Sequence, residues 1–207
     1  YSILGLSPDT RKRVVKYVDR DYPFPNIGAI DKYKLFVSKA YGCGAIGEVP
    51  ASPVLASPGM ACTETFLEIG PFDTKQELDN FYSYFKTKFF RALVGIKKQT
   101  QNTNRSTYSF VPLQDFTVGS DIDWSLPVPQ IDKQLYAKYD LSDDEIEFIE
   151  SHVKARIDFS FPFRVIFAFS TRQYVMPVFL AFAVVYRSRF VGCLNQARNE
   201  KRSGSPP

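Results

Sequence analysis

Thr74-Lys-Gln-Glu77 is the most constraining signal in the chain, because it fixes where a helix starts and so which later residues share a face. In such a capping box the Thr74 hydroxyl accepts from the Glu77 amide while the Glu77 side chain reaches back, satisfying donors that a helix start leaves orphaned. Leu78, Phe81, Tyr82, Phe85, Phe89 and Leu93 then recur at spacings of three and four, the period of a helix that buries one stripe. The pattern predicts one long helix, or two joined near Thr87. A second box, Ser142-Asp-Asp-Glu145, is flanked by Leu141 and Ile146 at the positions of a hydrophobic staple. Ile146, Ile149 and Val153 would form its buried stripe. Asp143, Asp144, Glu147 and Glu150 would face water.

Strand signals precede these helices. Arg11 to Asp21 alternates loosely through Val14, Val15, Tyr17 and Val18, until Tyr22-Pro-Phe-Pro25 breaks it. Lys32 to Lys39 is a second strand, with Tyr33, Leu35 and Val37 alternating against Lys32, Lys34 and Phe36. Gly42 to Gly59 is rich in Gly and Pro and reads as loop. Thr63 to Ile69 is a third strand, closed by Gly70-Pro71. Strands followed by helices imply an α+β domain of mixed strands and helices rather than a doubly wound sheet.

Composition changes near residue 155. Residues 1–154 hold 18 Lys+Arg and 20 Asp+Glu, whereas residues 155–207 hold 8 and 2. The net +4 therefore belongs to the tail, and a nucleic-acid reading of the body must rest on local clusters. Residues 1–154 are expected to form the folded domain. Residues 155–207, Phe-rich and basic, are expected to be poorly ordered or an aberrant extension. Their longest uncharged run, Gln173 to Tyr186, is 14 residues and contains Pro177. A spanning helix needs about 20 apolar residues, so no stable membrane insertion is expected. Tyr1 without a preceding Met reads as a fragment or processed piece of a longer protein. No secretory signal opens the chain, which implies a cytoplasmic location. Three widely spaced cysteines (Cys43, Cys62, Cys193) exclude a disulfide scaffold and a Cys-only zinc site, and a single histidine, His152, excludes a multi-His metal site.

Two catalytic-looking strings fail on context. Gly42-Cys-Gly44-Ala-Ile-Gly47 matches the dinucleotide pattern, but Pro50, Pro53 and Pro58 follow it, where a pyrophosphate needs a helix N-terminus. Its glycines would still let a backbone approach a partner closely, as a recognition loop requires. Asp73-Thr-Lys75 resembles half of a nuclease motif, with Pro8-Asp9 as its distant companion. Capping around Thr74 explains the same residues. His152, on an acidic helix, is expected at the surface.

One cluster survives. From Lys86 to Gln114 there is no acid, while Lys86, Lys88, Arg91, Lys97, Lys98 and Arg105 supply six cations. Gln99, Gln101, Asn102 and Asn104 lie among them. Cations contact phosphates, and Asn, Gln and Arg read base edges, so the ribbon is a candidate DNA face. The competing account is a solvated helix end with a polar loop. Phe89, Phe90 and Tyr108 are expected in the core by their spacing, and Phe110, Val111 and Pro112 as framework.

Several segments, taken in order, resemble the C-terminal part of bacterial adenine-specific DNA methyltransferases of restriction–modification systems, including forms fused to a nuclease. They are Tyr33-Lys-Leu-Phe-Val-Ser-Lys-Ala40, Cys62-Thr-Glu-Thr-Phe-Leu-Glu-Ile-Gly-Pro-Phe72 and Thr87-Lys-Phe-Phe-Arg-Ala-Leu-Val94, then Lys98-Gln-Thr-Gln101 and Tyr108-Ser-Phe-Val-Pro-Leu-Gln-Asp-Phe116. Asp123-Trp124, Ile131 to Ser142 and Phe148-Ile-Glu-Ser151 complete the set, which covers roughly residues 30–154. The resemblance implies a target-recognition domain over residues 1–154 that reads double-stranded DNA. It also implies an upstream catalytic methyltransferase domain as partner, with S-adenosylmethionine bound there and no cofactor in this chain. The family's Asn/Asp/Ser-Pro-Pro-aromatic motif is missing: the sole Pro-Pro here is Ser205-Pro206-Pro207, so no catalytic residue carries over. The tail after Lys154 also departs from the family. Two alternatives stand beside this reading. One is a metal-dependent endonuclease fragment using Asp9, Asp73 and Lys75. The other is a non-DNA interaction or membrane-associated fragment driven by the tail.

Overall fold

The computed structural model describes residues 1–48, 50 and 52–154, all within one compact unit. The tail and its expected character lie outside the described residues. Along the chain come β1 (Ser2–Leu6), β2 (Arg13–Tyr17), α1 (Ile27–Ile30), β3 (Tyr33–Ser38), β4 (Val54–Ala56), β5 (Met60–Cys62) and β6 (Phe66–Phe72). Then follow α2 (Lys75–Lys86), α3 (Lys88–Lys97), a 3-10 helix (Arg105–Tyr108), α4 (Val128–Lys138) and α5 (Asp143–His152). The class is α+β, as expected. Two three-stranded sheets have the orders β2-β1-β5 and β4-β3-β6. β1 pairs antiparallel with β2 and parallel with β5, and β3 is antiparallel to both its neighbours.

β3 carries the fold because it is covered on both faces. Leu35 and Val37 enter a large core shared with α2 to α5, whereas Phe36 enters a smaller one with Leu4, Ala56 and Phe66. The expected polar alternation fails at Lys34, which is buried. Its ammonium donates to the Ala29 and Ile30 carbonyls at 2.7 and 3.1 Å, so the end of α1 replaces the water it loses. That burial pushes the Lys34 ammonium below its ordinary value.

The helix signals translate closely. Thr74 accepts from the Glu77 amide, but the Glu77 carboxylate reaches one residue further back, to the Asp73 amide at 3.1 Å. Ser142 and Glu145 form the complete reciprocal box, and Leu141 and Ile146 both pack on the core. The long apolar stripe is two helices. Thr87 is the joint: extended in backbone, it donates its hydroxyl to the Tyr84 carbonyl at 2.6 Å and accepts from the Phe90 amide at 3.1 Å.

The strand expectations shift. β1 and β5 are unforeseen strands, the Gly/Pro-rich loop contains β4, and the strand expected from Thr63 begins only at Phe66, after a turn. β6 does not end at Gly70-Pro71 but runs on to Phe72. It is an edge strand, where a proline costs no ladder bond.

Candidate nucleic-acid interface

The acid-free ribbon covers the end of α2, all of α3 and the loop into the 3-10 helix, and its cations meet different fates. Arg91 is buried at 3% exposure, donating from Nε to the Thr87 carbonyl at 3.2 Å and from Nη1 to the Gly47 carbonyl at 3.0 Å. Lys98 is equally buried, paired with the Glu48 carboxylate and lying 4.4 Å from the Tyr41 ring centroid. Lys88 ties α3 to α5 through the Glu150 carboxylate at 2.5 Å and the Glu150 carbonyl at 3.0 Å. The six cations are therefore not a uniform outward row: Arg91, Lys98 and Lys88 are spent holding the fold together. Lys86 lies over the Tyr82 ring at 4.9 Å. Lys97 and Arg105 remain exposed, Lys97 resting 4.3 Å above Phe110.

The polar residues divide in the same way. Asn104 caps the 3-10 helix by accepting from the Thr107 amide at 3.2 Å. Gln99, Gln101 and Asn102 are exposed, on backbone that is pinned rather than loose. The Tyr41 amide donates to the Gln101 carbonyl at 2.9 Å, and Thr103 donates to the Lys39 carbonyl from its amide and hydroxyl, at 2.6 and 2.9 Å. These bonds prolong β3 into the ribbon.

The Gly-rich loop packs directly against this segment. A Cβ at Gly44 (φ +99°) would lie 2.8 Å from the Gln99 carbonyl oxygen, so only glycine lets the two backbones meet. Glu48 closes the loop. Its carboxylate accepts from the Cys43 amide at 2.6 Å and the Gly44 amide at 3.1 Å as well as pairing with Lys98. Burial alone would raise this carboxyl, but the Cys43 amide, the Lys98 ammonium and the Gly44 amide hold it down at about 2. An internal carboxylate thus occupies the donors that the string Gly42 to Gly47 would need for a phosphate. Sequence reasoning passed over Glu48, although it is the only acid between Asp31 and Glu64.

The remaining expectations place simply. Phe89 and Phe90 are core residues. The Tyr108 ring packs on that core, and among the described residues its buried hydroxyl has no hydrogen-bond partner of good geometry. Val111 packs on the core but Phe110 is half exposed, beneath Lys97. His152 is at the surface, stacked on Phe148. Asp73 pairs with Lys32, and Lys75 with Asp79 at 2.5 Å. Among the described residues no three of His, Cys, Asp and Glu come together as a metal site. Nor is any helix among them long and apolar enough to cross a membrane. No family model matches the chain, and no curated protein or solved structure matches it.

Proposed function

We propose that this chain is a DNA target-recognition module that works with a separate adenine-specific methyltransferase domain, which would bind S-adenosylmethionine and flip the base. The reading is carried by one observation: the Gly-rich loop and the Gln99–Asn102 segment lie against each other at Gly44 and through the Glu48–Lys98 pair. Amide side chains for base edges and the exposed cations Lys97 and Arg105 thus sit on one segment of fixed backbone. Rigid presentation lowers the ordering cost of binding. The order of motifs along residues 33–151 supports the family assignment.

Changing Lys97 and Arg105 together to Ala is expected to lower the slope of log affinity against log salt on duplex DNA by about 2, near one unit per lost phosphate contact. Salt-titrated fluorescence anisotropy with the full chain measures this. An unchanged slope rules the face out. Lys98 and Arg91 are unsuitable probes because their loss disturbs the fold.

A further inference from the structure

Residues 11–20, which form the turn after β1 together with β2, are the most cationic ten residues of 1–154. Arg11, Lys12, Arg13, Lys16 and Arg20 stand against one acid, Asp19. The rest of 1–154 holds 13 Lys+Arg and 19 Asp+Glu. β2 is an edge strand with Val15, Lys16 and Tyr17 all exposed, Tyr17 at 83%. The register pairs Arg13 with Leu6, Val15 with Leu4 and Tyr17 with Ser2, so these three share the face of the smaller core. Lys16, opposite Ile3, points to the other face.

Arg13 belongs to the fold: its guanidinium lies 5.7 Å from the Phe66 centroid and donates to the Ser52 carbonyl at 2.6 Å. The other four cations are exposed, Arg20 with its guanidinium 6.0 Å from the Tyr1 ring centroid, and among the described residues none of them is in an ion pair. Elsewhere Lys32, Lys75, Lys88, Lys98 and Lys138 pair with carboxylates, whereas Lys97 and Lys133 stand outside any ion pair among the described residues, so it is the density of free cations that sets residues 11–20 apart. Charge on an edge strand also guards against edge-to-edge association, but either sign and one or two side chains would serve. Only Lys16 of the four lies on β2, while Arg11, Lys12 and Arg20 flank it, so edge protection does not account for the other three in a domain otherwise rich in acid.

We propose that the β1–β2 hairpin is a phosphate-contacting arm that lies along the backbone of duplex DNA, with Arg11, Lys12, Lys16 and Arg20 as its contacts. The arm rests on the DNA-binding reading above and adds a second, sequence-independent anchor to it. The strand β2 presents Lys16, with Lys12 just before its start; four extended residues span about 13 Å, beside which run about 8 duplex charges.

The test uses the full chain and a labelled random-sequence duplex, with anisotropy followed across salt. The triple variant Lys12→Ala, Lys16→Ala, Arg20→Ala is expected to lower the salt slope by about 2 to 3 with an unchanged melting temperature. Lys12→Arg with Lys16→Arg should keep the slope. Removing the same charge at Lys75, Lys133 and Lys154 should leave it unchanged. Wild-type binding with an undiminished slope in the hairpin triple overturns the arm while leaving the Lys97–Arg105 face standing. Equal loss in the distant triple also overturns it, because the effect is then net charge. No duplex binding by the wild type overturns both proposals.

Discussion

Lys98→Met is expected to destabilise the protein by about 3–5 kcal/mol, the usual cost of leaving one member of a buried ion pair alone. The Lys98 side chain is 1% exposed and Glu48 is 14% exposed, so little water can replace the lost ammonium. The Cys43 and Gly44 amides would go on holding a carboxylate stripped of its counter-charge. Adding Glu48→Gln should recover part of the loss, since a neutral amide tolerates burial better. A double-mutant cycle from urea unfolding should give a coupling of about 1–3 kcal/mol. Additive effects would show that the pair does not hold the Gly-rich loop.

The same pair sets an acid limb of stability. The Glu48 carboxyl sits at about 2 in the folded chain, against an ordinary value near 4.5, so between these values the unfolded chain binds the extra proton. Its contribution is complete above pH 4.5 and disappears as pH falls toward 2. After allowance for solvent at the loop it amounts to about 2 kcal/mol. Glu48→Gln should flatten this limb in unfolding curves recorded across the window.

Helices α2, α3 and α5 were legible because their signals are local, whereas α4, whose start carries no side-chain cap, was not read. A capping hydroxyl, an acid three residues later and a three-and-four apolar spacing all act within one element, and Thr74, Ser142 and the joint at Thr87 fell where the spacing put them. The strands were legible only in part. Lys34 reads as a solvent-facing alternation until the α1 carbonyls arrive to bond it, and β1 finds its partners across loops. The candidate face suffered from the same blindness to distance. Arg91, Lys98 and Lys88 look like a phosphate ladder in one dimension. Their partners Gly47, Glu48 and Glu150 are 44, 50 and 62 residues away. An acid-free window guarantees the absence of local partners, not of distant ones. The hairpin cations were visible as a string, but their exposure depends on β2 ending the sheet.

Asp132→Ala is expected to cost about 2–4 kcal/mol, because this α4 side chain completes the N-terminal cap that Thr87 begins on α3. Its two carboxylate oxygens accept from the Lys88 amide at 3.1 Å and the Phe89 amide at 3.0 Å, and the residue is 2% exposed. Truncation leaves two donors without partners in a dry junction, each costing about 1–3 kcal/mol. Only part of this is recovered by relaxation of the helix start. Asp132→Asn separates the bonds from the charge. Burial pushes the carboxyl up to about 6, against the pull of the Phe89 and Lys88 amides and the nearby Arg91, with Glu150 adding to the rise. The folded chain therefore binds the extra proton between pH 3.8 and about 6, and stability from this group falls as pH rises through that window, the opposite sign to Glu48. The limb should amount to about 1–3 kcal/mol in wild type and be absent in Asp132→Asn. At pH 7 the Asn variant loses one acceptor but also a buried charge, so its cost should stay below that of Ala. Equal destabilisation by Ala and Asn, with the limb unchanged in both, would remove Asp132 from the α3 cap and place the joint's stability in Thr87 alone.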